Sequence, residues 1–446
     1  SYKTFSVSPS SSLSSSTTYK IRVTTGVKDF SGNTLSSQYE TSSGFTTWSG
    51  TQQLGTSSSE IGRGVIVDSS NNIFVTGYTA GGLDNNTNSG SNDIFLVKYN
   101  SSGTKQWTKQ LGTSGHDYGY GVSVDSSNNI YVTGHTLGAL DGTNSGSSDI
   151  FLVKYNSSGT KQWTKQLGTS SEDIGYGVTV DSSSNIYVTG YTGGALDTNS
   201  NLGSDDIILV KYNSSGTKLW TKQLGTSSAD EGRGVMVDSS GNIYVTGLTQ
   251  GALYGTNLGN YDIFLVKYNS SGTNQWTRQL STSSGEQGYG VTVDSSGNIY
   301  VTGITAGALD SIANSGNNDI FLVKYNSSGT KQWTKLLGTS SDEDGNGVTV
   351  DSSGNIYVTG RTAGGLDNNN NSGSSDIFLV KYDSTGEKLW TNLLGTSSDD
   401  YGFGVTVDSS DNIYVTGYTA GGLDNNSNSG SNDIFLVKFN SNGVKQ

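Results

Sequence analysis

A repeat of 56 or 57 residues constrains the fold of this 446-residue chain more than any other feature. The motif VDSSNNIFVTGYT begins at Val67, and related copies follow, each with an acidic residue in second position: Asp68, Asp125, Asp181, Asp238, Asp294, Asp351 and Asp408. Every unit contains short apolar clusters separated by turns rich in Ser, Gly, Asn and Thr. Such a unit is too long for a small solenoid coil and fits a four-stranded blade with one long loop. The sequence therefore predicts an all-β fold, a seven-bladed β-propeller.

The patterns within a unit predict the order of its strands from the centre to the rim. Residues 72–77 and 93–99 are apolar on both faces, as expected of strands enclosed by neighbouring blades. Residues 105–111, KQWTKQL, alternate in polarity and suit a half-exposed outer strand. The glycine-rich residues 121–124 fit the crowded centre, where backbones approach closely.

The tryptophans indicate how the ring closes. There is one for each predicted outer strand: Trp48, Trp107, Trp163, Trp220, Trp276, Trp333 and Trp390. The last unit reaches Gln446 where its own tryptophan would follow, whereas residues 45–58 match an outer strand with two extra residues. We therefore expect this N-terminal strand to pair with the last unit, which removes the free sheet edges.

The units, written GxGVxVDSSGNIYVTGxT…DIFLVKYNSSGTKQW, resemble the SBBP-type β-propeller repeat of bacterial surface proteins. The resemblance covers most of the chain in seven copies. It implies the propeller architecture and an extracellular or cell-surface location in bacteria. The family carries no established reaction, so the resemblance implies no catalytic residues.

Residues 1–45 break the period and are predicted to be a connector, with the propeller in residues 46–446. Tyr19, Ile21 and Val23 alternate with polar residues, and DFSGN at 29–33 is a turn pattern. The order of these features resembles the second half of a bacterial immunoglobulin-like domain of the Big class. Two or three strands cannot bury a core alone. Either another subunit supplies the missing strands, giving head-to-tail fibres by β-strand addition, or upstream residues of the same protein do.

Composition excludes several classes of function. The chain has no cysteine, which excludes disulfides and zinc–thiolate sites, and only His116 and His135 offer imidazole. A net charge of −13 argues against nucleic acid as a partner. A mean hydropathy of −0.42 without a long apolar run predicts no membrane insertion. The Ser-, Thr- and Asn-rich composition is similar to that of bacterial extracellular repeat proteins.

One position in each unit varies while its neighbours stay constant: Arg63, Tyr120, Tyr176, Arg233, Tyr289, Asn346 and Phe403. Ring symmetry places these residues around the mouth of the channel, just before the inner strands. Acidic residues precede them: Glu60, Asp117, Glu172, Asp230, Glu286, Asp342 and Asp399. We interpret the two sets as a ligand surface for surface glycans or a peptide. The alternative is that they only fill and solubilise the rim.

Two further kinds of site have weaker patterns. The DSSGN motif at 294–298 echoes calcium loops but favours a hairpin turn, and the oxygen-rich loop at 83–93 offers Asp84 and Asp93 as weak calcium candidates. No other cofactor is predicted. The YNSSG turns contain candidate glycosylation sites: Asn100, Asn156, Asn213, Asn269 and Asn326.

These observations favour a non-enzymatic extracellular structural or adhesive protein, a bacterial filament subunit joined through residues 1–45. The alternative is a monomeric module that binds carbohydrate or peptide at the channel mouth. YDSTGEKLW at 382–390 resembles quinoprotein blade motifs and NSSGTKQW at 156–163 resembles the sialidase Asp box, but both are turns that build blades. A hydrolase or quinoprotein-like enzyme therefore stands as a third alternative, with no catalytic residue predicted.

Overall fold

The computed structural model describes residues 9, 13–14, 17–28, 32–41, 45–48 and 50–446. Ahead of the propeller lie the short strands β1 Thr18–Tyr19, β2 Arg22–Val23, β3 Tyr39–Glu40 and β4 Phe45–Thr46. β1 pairs with β4 and β2 pairs with β3, both antiparallel. Most of the predicted DFSGN turn, residues 29–31, lies outside the described residues. The division between residues 45 and 46 stays a prediction.

The other strands form seven four-stranded antiparallel sheets, which are the blades. The first three blades follow β5 Gln52–Leu54 and comprise β6 Glu60–Val67, β7 Ile73–Thr79, β8 Asp93–Tyr99, β9 Lys105–Leu111, β10 Asp117–Val124, β11 Ile130–Thr136, β12 Asp149–Tyr155, β13 Lys161–Leu167, β14 Asp173–Val180, β15 Ile186–Thr192, β16 Asp206–Tyr212 and β17 Lys218–Leu224. The other four comprise β18 Asp230–Val237, β19 Ile243–Thr249, β20 Asp262–Tyr268, β21 Asn274–Leu280, β22 Glu286–Val293, β23 Ile299–Thr305, β24 Asp319–Tyr325, β25 Lys331–Leu337, β26 Glu343–Val350, β27 Ile356–Thr362, β28 Asp376–Tyr382, β29 Lys388–Leu394, β30 Asp400–Val407, β31 Ile413–Thr419 and β32 Asp433–Phe439. Short 3₁₀ helices span Leu83–Asn85, Leu366–Asn368 and Leu423–Asn425, and no helix of the described residues is long and apolar enough to cross a membrane.

The predicted all-β seven-bladed propeller is confirmed, with one difference in the inner strands. The third and outer strands lie where the patterns placed them, and the second strand, predicted at residues 72–77, spans Ile73–Thr79. The inner strand of the second blade, however, begins at Asp117 and not at Gly121. A bulge between Gly119 and Gly121 breaks its alternation, so its first half lacks a strand pattern in the sequence.

The hydrophobic core is divided into seven clusters, each formed between two neighbouring blades. Between the first and second blades, for example, Phe74 and Ile94 pack with Val132 and Phe151. All four side chains are buried. Because no blade has a core of its own, the blades stabilise one another only as a closed ring.

The ring closes through the N-terminal strand, as predicted. β5 pairs with β32, with Leu54 opposite Ile434. Trp48 is buried against Tyr414, with ring centroids 5.6 Å apart. The fourth strand of the last blade is therefore composite, because β5 pairs with β32 and Lys445, after β32, pairs with Phe439. Asp424 joins the two parts by accepting hydrogen bonds from Thr51 Oγ1 and Lys445 Nζ.

Candidate ligand site at the channel mouth

The variable residue of each blade occupies a β-bulge of the inner strand. In the second blade Gly119 is opposite Gly134 and Gly121 is opposite Thr133, which leaves Tyr120 without a cross-strand partner. The register shifts at the same place in all seven blades. Glycine is needed beside the bulge because neighbouring inner strands approach closely: a Cβ atom on Gly64 would lie 2.9 Å from the carbonyl oxygen of Tyr120. The bulge thus directs one side chain of each blade toward the channel.

The seven bulge side chains line one cavity of about 450 Å³. The lining residues are the ones that the variable position predicted: Arg63, Tyr120, Tyr176, Arg233, Tyr289, Asn346 and Phe403. The structure therefore brings the whole predicted set together. The residues lie within the inner strands, whereas the sequence predicted them just before these strands. Whether this surface binds a ligand stays a prediction.

The two arginines of the lining have different partners. The Arg233 guanidinium lies 4.1 Å from the ring centroid of Tyr176 and forms an ion pair with Glu231, two residues earlier in β18. The Arg63 guanidinium lies 4.0 Å from the ring centroid of Phe403. In β6 the position equivalent to Glu231 is occupied by Ile61, which offers no charge.

Two further polar side chains of the lining, those of Asn346 and Tyr289, donate hydrogen bonds to neighbouring residues. Asn346 Nδ2 donates to the carbonyl oxygen of Gly402 at 2.9 Å, and Tyr289 Oη donates to Gln287 Oε1 at 3.1 Å. Burial raises the pKa of Tyr176 and of Tyr289 to about 12. Both phenols are therefore neutral at physiological pH and can donate a hydrogen bond.

A second layer of aromatic side chains surrounds part of the mouth. It was not predicted from the sequence, although its two positions also vary between constant neighbours. One such position precedes each bulge by two residues and includes Tyr118 and Tyr401, and the other lies near the end of each second strand and includes Tyr78, His135 and Tyr418. Tyr118 packs edge-on against Tyr78 at 4.6 Å, and Tyr401 stacks on Tyr418 at 4.9 Å.

Both histidines of the chain lie in this layer, in the second blade. His116 and His135 stack on Tyr118, with ring centroids 5.7 and 4.9 Å away. His116 Nδ1 lies 2.8 Å from Asn92 Nδ2. Burial, with a smaller effect of His116, lowers the pKa of His135 to about 4, so this imidazole is neutral at physiological pH.

Four acidic residues predicted for the ligand surface are instead fully buried: Glu60, Asp117, Asp230 and Glu286. Each is the first residue of an inner strand, and its carboxylate accepts hydrogen bonds from the preceding loop or the second strand. Glu60, for example, accepts hydrogen bonds from Thr79 Oγ1 at 2.9 Å and from the amide of Thr56 at 2.6 Å. The other three predicted acids, Glu172, Asp342 and Asp399, each lie one residue before the equivalent buried position.

The weak calcium candidates have protein partners. Asp84 accepts hydrogen bonds from Lys105 Nζ and Thr108 Oγ1. Asp93 is buried, and its Oδ2 accepts from the amide of Ser89 at 2.8 Å. Within the described part of the chain, no group of three or more His, Cys, Asp or Glu side chains is placed to hold a metal ion.

The two turn motifs have the hydrogen bonds of Asx turns. In DSSGN, Asp294 Oδ1 accepts from the amides of Ser296 and Asn298 at 2.9 and 2.8 Å. In YNSSG, Asn156 Oδ1 accepts from Ser158 Oγ at 2.7 Å and from the amide of Thr160 at 2.9 Å. The turn interpretation of DSSGN is thus supported, and glycosylation of the asparagines stays a prediction.

The blades, the closed ring and the channel mouth define a seven-bladed β-propeller repeat protein. The chain belongs to the SBBP β-propeller repeat family, whose sequence model matches residues 50–84, 106–140, 162–202, 219–255, 275–309, 332–367 and 389–424. Residues 1–47 match a bacterial Ig-like domain model, Big_5. Both resemblances found in the sequence are therefore confirmed.

Two curated proteins are similar to this chain. An uncharacterized WD repeat-containing protein of Acanthamoeba polyphaga mimivirus, L264, is 24% identical over 80% of this chain and 35% of its own length. The regulatory protein FlaEY of Caulobacter vibrioides is 25% identical over 70% of this chain and 37% of its own length. The chain thus spans little more than a third of either relative.

Solved structures are similar to this chain at low identity. The WD40 β-propeller domain of Doa1 has a TM-score of 0.49 at 11% identity, covering 87% of this chain and 97% of that one. A gluconolactonase from Xanthomonas campestris has a TM-score of 0.38 at 12% identity, covering 77% of this chain and 89% of that one. Likeness at this level concerns the fold alone.

Proposed function

We propose that this chain is a non-enzymatic module of the bacterial surface or extracellular space that binds a carbohydrate at its channel mouth. The observation that carries the proposal is the convergence of seven bulge residues on one cavity of about 450 Å³. That volume falls within the range of about 300–1,000 Å³ usual for small-molecule sites. The bacterial Ig-like match of residues 1–47 supports the location.

The chemistry of the lining supports a sugar ligand. It combines four aromatic rings with two guanidinium groups and an amide. Tyrosine and phenylalanine rings pack against the apolar C–H faces of sugar rings, and phenol, amide and guanidinium groups hydrogen-bond to hydroxyls. These side chains recognise ligands without forming a pair of nucleophile and base, which supports a binding role over a catalytic one.

Binding of purified protein to a glycan array, followed by titration of the best glycan, tests the proposal. We expect Tyr120→Ala to weaken binding about tenfold, because an aromatic contact contributes about 0.5–1.5 kcal/mol beyond the area it buries. The control is Tyr254→Ala, which removes a tyrosine that is 54% exposed and does not line the cavity. Failure of every glycan to bind, or an equal effect of the two variants, contradicts the proposal. Binding of a peptide library instead would assign the mouth to a different ligand class.

A second candidate function is that of a filament subunit, and one observation favours it. Among the described residues before the propeller, the strands pair two by two, and large apolar side chains are exposed: Ile21 at 41%, Val27 at 53%, Leu35 at 39% and Tyr39 at 59%. In this proposal a strand from a second copy of the chain covers them by β-strand addition.

Negative-stain microscopy distinguishes the two candidates. A filament subunit gives fibres that disappear when residues 1–41 are deleted. Isolated discs from the intact chain, or fibres that persist in the deletion variant, contradict assembly through this segment. Discs that also bind glycan support the first proposal alone.

A further inference from the structure

Arg63 is the cation of the channel mouth that lacks an internal counter-ion. Its guanidinium is surrounded by aromatic rings, with centroids 4.0 Å away at Phe403, 5.7 Å at Tyr78 and 5.8 Å at Tyr120. Its hydrogen-bond partner is Tyr78 Oη, 3.4 Å from Nη2, and its buried Nε has no partner. Among the described residues, no carboxylate oxygen lies within 4.0 Å of its nitrogens.

The two other arginines near the mouth provide an internal comparison. Arg233 pairs with Glu231, and Arg361 Nε lies 2.5 Å from Asp344 Oδ2. In both cases the chain neutralises the guanidinium itself. A guanidinium withdrawn from water without an anionic partner is costly, because its donors lose hydration and gain no acceptor. Arg63 is half-buried and lines the open cavity, so an oxyanion that enters the cavity can supply the partner that the chain does not.

The surroundings of Arg63 indicate what the oxyanion is attached to. Half-buried rings lie on both sides of it, and we call them the aromatic arc: Tyr78, Tyr118, Tyr120, Tyr401, Phe403 and Tyr418. Other parts of the mouth are more polar: Arg233 pairs with Glu231 in the fourth blade, and Arg361, paired with Asp344, lies 4.9 Å from the ring of Tyr401 next to the arc. A ligand that carries a carboxylate beside a ring with an apolar face therefore fits the side of Arg63.

We propose that the channel mouth binds an acidic saccharide, whose carboxylate pairs with Arg63 while its sugar ring packs on the aromatic arc. This inference rests on the proposed carbohydrate function and adds the charge of the ligand and its anchoring residue. The planar guanidinium can hold a carboxylate through two parallel hydrogen bonds. Such a pair is stronger than one in bulk water where the surroundings lower the local dielectric constant, and Arg63 lies among half-buried rings.

Isothermal titration with tri-galacturonate and with the neutral galactose trimer tests the inference. We expect the acidic trimer to bind at least tenfold more tightly, and we expect Arg63→Gln to abolish this difference. Arg63→Lys keeps the charge but loses the planar fork, so it should retain only part of the preference. The matched control Arg278→Gln removes an equal charge from the outer strand β21, away from the cavity lining, and should retain the full preference.

The outcomes separate this inference from the function on which it rests. If the neutral trimer binds equally well, or if the Arg63→Gln variant keeps the preference, the role of Arg63 is wrong and carbohydrate binding stands. If neither trimer nor any arrayed glycan binds, both proposals fall. Circular dichroism of each variant confirms that a lost preference is not a loss of folding.

Discussion

At the scale of single residues, the sevenfold repeat separates positions that build the blade from positions that differ between blades. The acid that begins each inner strand has the same buried role in every blade, whereas each bulge carries its own side chain. The second strands also carry a position that differs between blades. It is His135 in the second blade, whereas the equivalent residues in three other blades are tyrosines: Tyr78, Tyr191 and Tyr418. Because the imidazole of His135 is buried, its protonation should make the free energy of unfolding depend on pH.

We predict that His135→Tyr removes part of the acid sensitivity of the fold. The pKa of His135 is about 4 in the folded protein and 6.5 ordinarily, so its favourable contribution is complete above pH 6.5 and is lost as the pH falls toward 4. Between pH 7 and pH 5 the parent should lose about 2 kcal/mol more of its free energy of unfolding than the variant. Urea denaturation at both pH values measures this difference. Equal losses would show that His135 titrates normally.

At the scale of strands and blades, a lysine in the third strand of each of the first six blades donates a hydrogen bond to the next blade. Lys324 Nζ donates to the carbonyl oxygen of Ser384 at 2.8 Å and lies over the ring of Tyr300. The equivalent residue of the last blade, Lys438, lies over Tyr414 but has no hydrogen-bond partner among the described residues. Burial lowers the pKa of Lys438. The contact between the last blade and the first thus lacks one bond that the others have.

This difference predicts unequal effects of two equivalent substitutions. Lys324→Met removes a charged hydrogen bond to a carbonyl and should lower the free energy of unfolding by about 2 kcal/mol. Lys438→Met removes a half-buried ammonium without such a bond, and we expect little change or a small gain. Urea midpoints of the two variants, compared with the parent, check the difference. An equal loss in both would contradict it.

Strands were predictable where packing imposes a regular period and less so where the backbone departs from it. Asp93–Tyr99 and Lys105–Leu111 were located to the residue, because neighbours or solvent impose a pattern on each face. The first half of Asp117–Val124 was missed because its bulge interrupts that pattern. The seven bulge residues were found by their variability, but the tyrosines behind them were not. The absence of a counter-ion at Arg63 could be suspected from Ile61, which stands where Arg233 has Glu231, but that the aromatic rings of neighbouring blades surround Arg63 is shown only by the folded ring.

At the scale of the whole molecule, the ring depends on one short strand from the other end of the chain. Trp48 belongs to the cluster between the last and first blades, and β5 covers the edge of β32. Without them this cluster loses a large aromatic side chain and the last sheet has a free edge.

We therefore predict that deletion of residues 1–54 destabilises the propeller and promotes self-association. Loss of a buried tryptophan alone costs about 3–5 kcal/mol, and an unpaired edge strand recruits other edges. The control lacks only residues 1–41 and keeps both Trp48 and β5, so its melting temperature should match that of the parent. Scanning calorimetry and sedimentation velocity measure the two effects. Equal stability of both deletion variants would contradict this role of the N-terminal strand.

A designed disulfide tests closure most directly, because the chain contains no cysteine. Opposed residues in antiparallel strands alternate between closer and wider pairs, so both Leu54→Cys/Ile434→Cys and Gln53→Cys/Phe435→Cys are made. The control, Leu111→Cys/Ile434→Cys, uses the equivalent leucine of the first blade, which pairs with Ile94. On oxidation, mass spectrometry should find an intramolecular disulfide in at least one of the first two variants and none in the control. A disulfide in the control, or bonds only between molecules, would contradict a ring closed by the N-terminal strand.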